Sequence, residues 1–306
     1  MPKVLIADPI HEDGLRAIQE FAEVEVSTGL TEDELVQKVK DYDALVVRSA
    51  TKVTRRVIES GANLKVIARA GVGLDNIDVE AAKKRGIVVL NAPEAPAIAV
   101  AELVFALMLA FARRIPQADA SMRAGRWEKK KLQGAELHGK TLGIIGTGRI
   151  GQAVAERAKA FGMKLLLFDI KPNQEFASRI GAEYVELKHL LAESDFVTIH
   201  VPLLPETKHM IGEKELALMK PTAVLINTSR GAVVDERALA RALRSGQIAG
   251  ACLDVYEREP PVGSPLLECT NTVLTPHIGA STVEAQRAAA LIIASKLRGV
   301  LQGEKS

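Results

Sequence analysis

The chain has 306 residues, of which 47% are hydrophobic and 25% charged, with 40 basic against 38 acidic side chains and a formal charge of +2. That length suits two domains of ordinary size, and the composition excludes wholesale disorder and collagen-like or low-complexity architectures. A charge so near zero gives no whole-surface attraction for phosphate backbones or anionic membranes. With 4% aromatics and a single tryptophan, Trp127, a stacking platform for single-stranded nucleic acid is not expected either.

The N-terminus, Met1-Pro2-Lys3-Val4-Leu5-Ile6-Ala7-Asp8, has no signal-peptide core or cleavage site, so export is not expected. Strand candidates in the first third are Lys3 to Asp8, Val24 to Ser27, Ala44 to Ser49, Lys65 to Ala70 and Ile87 to Asn91. Helical patterns lie between them at His11 to Phe21, Thr31 to Val39 and Asn76 to Arg85, with Thr31-Glu32-Asp33-Glu34 reading as a capping box. The apolar stretch Ala95 to Ala112 carries Pro96 and Glu102 and ends at Arg113-Arg114. It is short and interrupted for a membrane span and reads as a helix buried in protein.

From Lys140 the alternation restarts, with strand candidates Thr141 to Gly146, Lys164 to Asp169, Asp195 to Val201, Thr222 to Asn227, Ala249 to Val255 and Thr272 to Leu274. Helical patterns follow at Gly148 to Phe161, Gly212 to Met219 and Asp235 to Arg244, and Thr282 to Leu301 forms a long alanine-rich one. Nearly all-apolar runs alternating with amphipathic segments are what parallel strands covered by helices on both faces require. The fold class is therefore α/β, with two doubly wound parallel sheets of about five and about six or seven strands. The last helix returns to the first domain, giving a discontinuous domain of residues 1–97 and 284–306 around one of residues 98–283. Cys252 and Cys269 are too few for a disulfide framework and lack zinc-site spacing, which fits a reducing cytoplasm.

The strand at Thr141 runs into Gly146-Thr147-Gly148-Arg149-Ile150-Gly151 and then into a helical pattern. In such a turn the first glycine permits the bend, the second lets backbone approach a pyrophosphate, and the third allows close packing of helix on strand. Three glycines at that spacing also occur in plain turns, but here Asp169 closes the next strand about 20 residues on, where a carboxylate holds the ribose hydroxyls of NAD. A carboxylate there repels a 2′-phosphate and so favours NAD over NADP, with Lys171 nearby as a counterweight. An NAD site without a metal or flavin motif implies hydride transfer, which needs an acid/base and a cation for the substrate. Arg230, Glu259 and His277 each lie just past the end of a late strand, where ligands of doubly wound sheets bind.

Four segments, Gly146 to Gly151, Asn227 to Gly231, Leu253 to Pro260 and Thr275 to Thr282, occur in order over most of the chain and together resemble the D-2-hydroxyacid dehydrogenase family. Ala68 to Asp78, Trp127 to Lys131 and His277 to Gln286 look most like its D-3-phosphoglycerate dehydrogenase branch. The resemblance implies a Rossmann NAD-binding domain and a flavodoxin-like substrate domain, with a 2-hydroxy or 2-oxo acid, phosphorylated in that branch, bound in the cleft between them. His277 then serves as acid/base, Glu259 fixes its tautomer, and Arg230 holds the substrate carboxylate. Asp254 helps orient the nicotinamide carboxamide. His200, Val201, Pro202, Thr207, Thr228, Ser229, Gly279 and Ala280 are also implied to line the cofactor, together with the glycine turn, Arg230 and His277. His11, His138, His189 and His209 read as solvated or structural residues; so does His200 by residue type alone.

For the substrate, the resemblance points to Arg48 and Ser49 and to the Gly71-Val72-Gly73 turn, whose N–H groups can hold a carboxylate. Lys129, Lys130 and Lys131 read first as a solvated basic run. A homodimer paired through the cofactor domain is expected, as is the absence of the C-terminal regulatory domain that many of that branch carry. Two other readings stay open: a glyoxylate or hydroxypyruvate reductase with the same triad, and an NAD-sensing corepressor-like protein.

Overall fold

Each short apolar run becomes a strand parallel to its neighbours, because the amphipathic segment between two runs carries the chain back as a crossover helix. A computed structural model describes residues 1–303. Its contacts group the chain into two units, one of Met1–Ala97 with the described residues from Ala280 onward, the other of Ile98–Gly279.

The first unit runs β1 (Lys3–Ile6), α1 (Glu12–Gln19), β2 (Glu23–Val26), α2 (Glu32–Lys38), β3 (Ala44–Val47), α3 (Arg55–Ser60), β4 (Val66–Arg69), α4 (Val79–Lys84) and β5 (Val88–Asn91). Its five strands lie in the order β2-β1-β3-β4-β5, all parallel, which is the flavodoxin-like order. Period-two alternation supplies a core on each face. Leu5, Leu45, Val47 and Ile67 meet α2, α3 and α4, while Val4, Ile6, Val46 and Val66 face the opposite way. The capping box at the start of α2 forms: Thr31 Oγ1 accepts from the Glu34 N–H at 3.3 Å, and the Glu34 carboxylate accepts from the Thr31 N–H at 2.8 Å.

The second unit opens with α5 (Ala97–Ala112) and α6 (Ile115–Arg123), then runs β6 (Thr141–Ile145), α7 (Arg149–Ala160), β7 (Lys164–Phe168), α8 (Gln174–Ile180), β8 (Glu183–Tyr184), α9 (Leu187–Glu193), β9 (Phe196–Ile199), α10 (Glu213–Leu216), β10 (Val224–Asn227), α11 (Glu236–Arg244), β11 (Gly250–Leu253) and β12 (Thr272–Leu274). The seven parallel strands lie in the order β12-β11-β10-β9-β6-β7-β8, a Rossmann order with one added edge strand. Val104, Phe105 and Met108 of α5 join Ile144, Leu167 and Ile226 in one core, and Val197, Leu225 and Leu253 face the other. The apolar stretch is thus a core helix, and among the described residues no helix is long and apolar enough to cross a membrane.

α12 (Val283–Gln302) belongs to the first unit and docks on α1. The two helices cross so closely that a Cβ on Gly14 would sit 2.3 Å from the Cβ of Ala290. Ala289, Ile293 and Leu297 complete the core over Val4 and Ile6. Ion pairs Arg287–Asp13 and Arg298–Glu20 close the crossing at its rim.

Strands end earlier than the apolar pattern. Runs reaching Asp8, Ser49, Gly146, Asp169, Val201 and Val255 leave the sheet ladder at Ile6, Val47, Ile145, Phe168, Ile199 and Leu253. The residues released at these carboxyl ends bend into loops, and they carry the candidate site.

Candidate active site

The order of the second sheet reverses between β6 and β9, which opens a crevice at the carboxyl edge. Gly146, at φ +92°, turns the chain there, and a Cβ on it would lie 2.7 Å from the His200 carbonyl oxygen. Gly151 packs on the turn itself, since a Cβ on it would meet the Gly146 oxygen at 2.0 Å, whereas Gly148, the N-cap of α7, faces open space. Asp169 is fixed just beyond β7: it accepts from the Thr147 N–H at 2.7 Å, the Thr147 hydroxyl at 3.0 Å and the Lys171 N–H at 2.9 Å. Arg149 is exposed and Ile150 half-buried at the first turn of α7.

His200 follows β9, and its Nε2 lies 3.0 Å from Thr198 Oγ1 while its Nδ1 is buried without a partner. Burial pushes the ring's pKa down to about 3. Thr228, just past β10, likewise has a buried hydroxyl without a partner. In the loop after His200, Val201 and Pro202 approach the surface, and Thr207 braces the turn by donating to the Pro202 carbonyl at 2.6 Å and accepting from the Leu204 N–H at 2.8 Å.

Arg230, Glu259 and His277 follow β10, β11 and β12, which are neighbours in the sheet. Asn227 shapes the first loop: its amide donates to the Arg230 carbonyl at 2.9 Å, and its oxygen accepts from the Ser229 N–H at 3.0 Å and the Ser229 hydroxyl at 2.8 Å. Gly231 then lies against the next loop, where a Cβ would fall 1.8 Å from the carbonyl carbon of Tyr256. That contact brings the Arg230 loop onto the loop that carries Glu259.

His277 occupies the left-handed region at φ +53°, which costs a non-glycine residue about 1–3 kcal/mol. Asp254, 1% exposed, holds it there. The Asp254 carboxylate accepts from the Thr275 hydroxyl at 2.7 Å and from the N–H groups of Ile278 and Gly279 at 2.8 Å each, and its carbonyl accepts from the His277 N–H at 2.8 Å. His277 Nδ1 is then 2.7 Å from Glu259 Oε2, and the second oxygen of Glu259 accepts from the Tyr256 N–H at 3.2 Å. With Nδ1–H directed at a carboxylate, a neutral imidazole presents its lone pair at Nε2. Tyr256 donates to the Thr275 carbonyl at 3.0 Å, and burial pushes its phenol up to about 12, so the donor stays protonated.

Glu236 steadies the same loop from α11, accepting from the Glu257 N–H at 2.6 Å and the Ser264 hydroxyl at 2.7 Å. In the sequence Asn227 and Thr275 stand out only as polar residues that follow apolar runs, and nothing there marks Tyr256 or Glu236 as supports of these loops. Lys129, Lys130 and Lys131 are exposed in a short turn, with Lys131 Nζ 3.0 Å from Glu128.

In the first unit, Arg48 and Ser49 follow β3, and Gly71, Val72 and Gly73 follow β4. Asn91 ties the glycine turn down by donating to the Val72 carbonyl at 2.6 Å, and the Ala92 N–H donates to Gly71 at 2.8 Å. Ala280 begins the return segment of this unit, while Gly279 ends the second.

A family model described as D-isomer specific 2-hydroxyacid dehydrogenase, NAD binding domain, matches residues 105–279. The chain belongs to the D-2-hydroxyacid dehydrogenase family. A D-3-phosphoglycerate dehydrogenase of Methanocaldococcus jannaschii is 55% identical over 305 residues, 99% of this chain and 58% of the relative. A glyoxylate reductase of Thermococcus litoralis is 50% identical over 313 residues, 99% of this chain and 95% of the relative. The crystal structure of the TT0316 protein from Thermus thermophilus matches with a TM-score of 0.91 at 39% identity, covering 99% of this chain and 98% of that one. The chain spans a little over half the length of the phosphoglycerate dehydrogenases it matches.

NAD is the cofactor of this dehydrogenase domain, and the residues present fit it. The turn is bare of side chain at Gly148, an acid closes β7, and the Thr228 hydroxyl and His200 Nδ1 are buried polar atoms without protein partners at the same sheet edge.

His200 also makes folding stability depend on pH. The unfolded chain protonates this ring near pH 6.5, but the folded chain resists until about pH 3. The unfolded state therefore binds the extra proton between those values, and stability falls as pH drops below about 6.5, by up to about 1.4 kcal/mol per pH unit. Urea unfolding between pH 7 and pH 4.5 is expected to show a steeper loss for the native chain than for His200→Asn. Equal slopes would mean that the folded ring takes up its proton as easily as the unfolded one.

Proposed function

We propose that the chain oxidises D-3-phosphoglycerate to 3-phosphohydroxypyruvate with NAD, a reaction of serine biosynthesis. The observation that carries the chemistry is the His277–Glu259 pair, 2.7 Å apart, with His277 on a loop fixed by the buried Asp254 carboxylate. The choice of substrate rests on 55% identity to a phosphoglycerate dehydrogenase across 99% of this chain.

When bound, NAD supplies the hydride acceptor. His277 Nε2 takes the proton of the C2 hydroxyl as the C2 hydride departs, leaving a 2-oxo acid; in the reverse direction the same nitrogen gives the proton back. Glu259 keeps Nδ1 protonated and stabilises the imidazolium that forms. Arg230 grips the substrate carboxylate as a planar fork and polarises the oxygen at C2. Arg48 takes the phosphate, assisted by Ser49, and the Gly71–Gly73 turn offers N–H groups to the carboxylate. Asp169 grips the adenosine ribose, and Asp254 and the loop residues His200 to Thr207 line the cofactor.

A glyoxylate or hydroxypyruvate reductase is the second reading, favoured by the end-to-end match to the Thermococcus enzyme. Turnover of D-3-phosphoglycerate with NAD is measured against reduction of glyoxylate and hydroxypyruvate with NADH. The proposal expects the highest kcat/KM on the phosphorylated pair; turnover confined to the unphosphorylated acids selects the second reading. His277→Ala is expected to lower kcat by about 10²–10⁴-fold with NADH affinity unchanged. Arg48→Ala is expected to raise KM more for the phosphorylated acid than for glyoxylate, and equal losses would remove it from the phosphate subsite.

A homodimer is part of the same proposal. Ile98, Ile115, Met122 and Trp127, on and just after α5 and α6, are 60%, 53%, 55% and 77% exposed, an apolar set that a second copy of the chain would cover. The two cysteines are buried and unpaired, in keeping with a reducing cytoplasm. Sedimentation at micromolar concentration is expected to give about twice the 32.9 kDa chain mass; a mass of one chain would refute the pairing.

A further inference from the structure

Asp8 and Asn76 lie outside the triad, the glycine turn and the substrate residues, yet both act on the segment that carries Arg48. Asp8, released from the end of β1, is 3% exposed. Its carboxylate accepts from the Arg48 N–H at 2.6 Å, the Thr51 N–H at 3.1 Å and the Thr51 hydroxyl at 2.7 Å. Asn76 approaches from the loop after β4. Its amide nitrogen donates to the Arg48 carbonyl at 2.8 Å and to the Thr51 carbonyl at 2.6 Å. Arg69 Nε adds a longer contact to the Arg48 carbonyl at 3.3 Å.

The backbone N–H and C=O at both ends of the four-residue turn are therefore held by two side chains of opposite hydrogen-bonding character. Asp8 meets donors only, which a carboxylate satisfies and an amide does not. Asn76 meets two carbonyl oxygens with its two N–H bonds, and its own Oδ1 is left buried without a partner. That arrangement fixes the orientation of the amide, because the reversed one would set oxygen against oxygen. Between the pinned ends, Ser49 and Ala50 are exposed. Asn76 is also joined to the segment after the turn, since the Val53 N–H donates to its carbonyl at 2.8 Å.

We propose that Asp8 and Asn76 are positioning residues for substrate recognition, setting the backbone of Arg48 to Thr51 so that the Arg48 guanidinium and Ser49 hydroxyl meet the anionic substrate in one arrangement. The inference rests on the reading of Arg48 as a substrate ligand. Asp8→Asn and Asn76→Asp are isosteric, so they invert hydrogen bonding without changing volume. Thr51→Val removes one of the three donors to Asp8 and serves where the other variants do not fold.

Steady-state kinetics of these variants and of Arg48→Ala, with NADH affinity measured by fluorescence titration, test it. The expected result is a KM for the preferred acid raised about tenfold or more in Asp8→Asn and Asn76→Asp, and less in Thr51→Val. NADH affinity stays unchanged and kcat falls much less than KM rises. A loss of kcat with native KM, the sign of a smaller folded fraction, would overturn the positioning role. If Arg48→Ala raises KM while the Asp8, Asn76 and Thr51 variants do not, this proposal falls and the substrate reading stands. If Arg48→Ala leaves KM unchanged for every acid, the substrate reading falls and takes the proposal with it.

Discussion

The carboxylate of Asp254 is the constraint on which the geometry around His277 depends. It is buried just past β11, next to the edge strand of the sheet, and accepts from three donors of the loop after β12. Charge-assisted bonds of this kind are worth about 1.5–3 kcal/mol each, enough to hold His277 in a left-handed backbone conformation that it would otherwise leave. In that conformation the imidazole reaches Glu259. The His277–Glu259 contact is thus a consequence of how one buried charge is satisfied, and backbone strain at His277 sits where the proposed acid/base needs a fixed ring.

The parallel sheets explain why such a site can exist. All strands in a unit point the same way, so every strand releases its next residues at one edge. Loops from β6, β7, β9, β10, β11 and β12 contribute Gly146, Asp169, His200, Arg230, Glu259 and His277 to that edge of the second unit. In the first unit the same rule gathers Asp8, Arg48 and Gly71 behind β1, β3 and β4. A near-zero net charge is consistent with the proposed site: anion recognition by a few arginines and backbone N–H groups is local and needs no basic surface.

The sheets were legible because period-two burial on both faces leaves long apolar runs, as in Val4 to Ala7 and Val224 to Ile226. The glycine turn and its acid were legible because backbone approach to a phosphate demands glycine, and those glycines precede a helix. The strand ends were not: an apolar run does not say where its ladder stops, and Ala7, Gly146 and His200 each still donate one hydrogen bond to the neighbouring strand after leaving it. Asp8, Asn76, Asn227 and Glu236 stayed hidden for a different reason. Each holds backbone groups of a segment distant in sequence or of its own loop, and a polar residue does not announce which donors or acceptors will meet it in the fold.

Chemical rescue tests most directly the claim that His277 moves the proton. The oxidation of NADH by the 2-oxo acid preferred by the native chain is followed for His277→Ala at rising concentrations of free imidazole. The account predicts that the lost rate returns in proportion to imidazole and saturates as the vacated space fills, with NADH affinity constant throughout. A variant rate that is already near native without imidazole would contradict it, as would a lost rate indifferent to imidazole while NADH and substrate still bind.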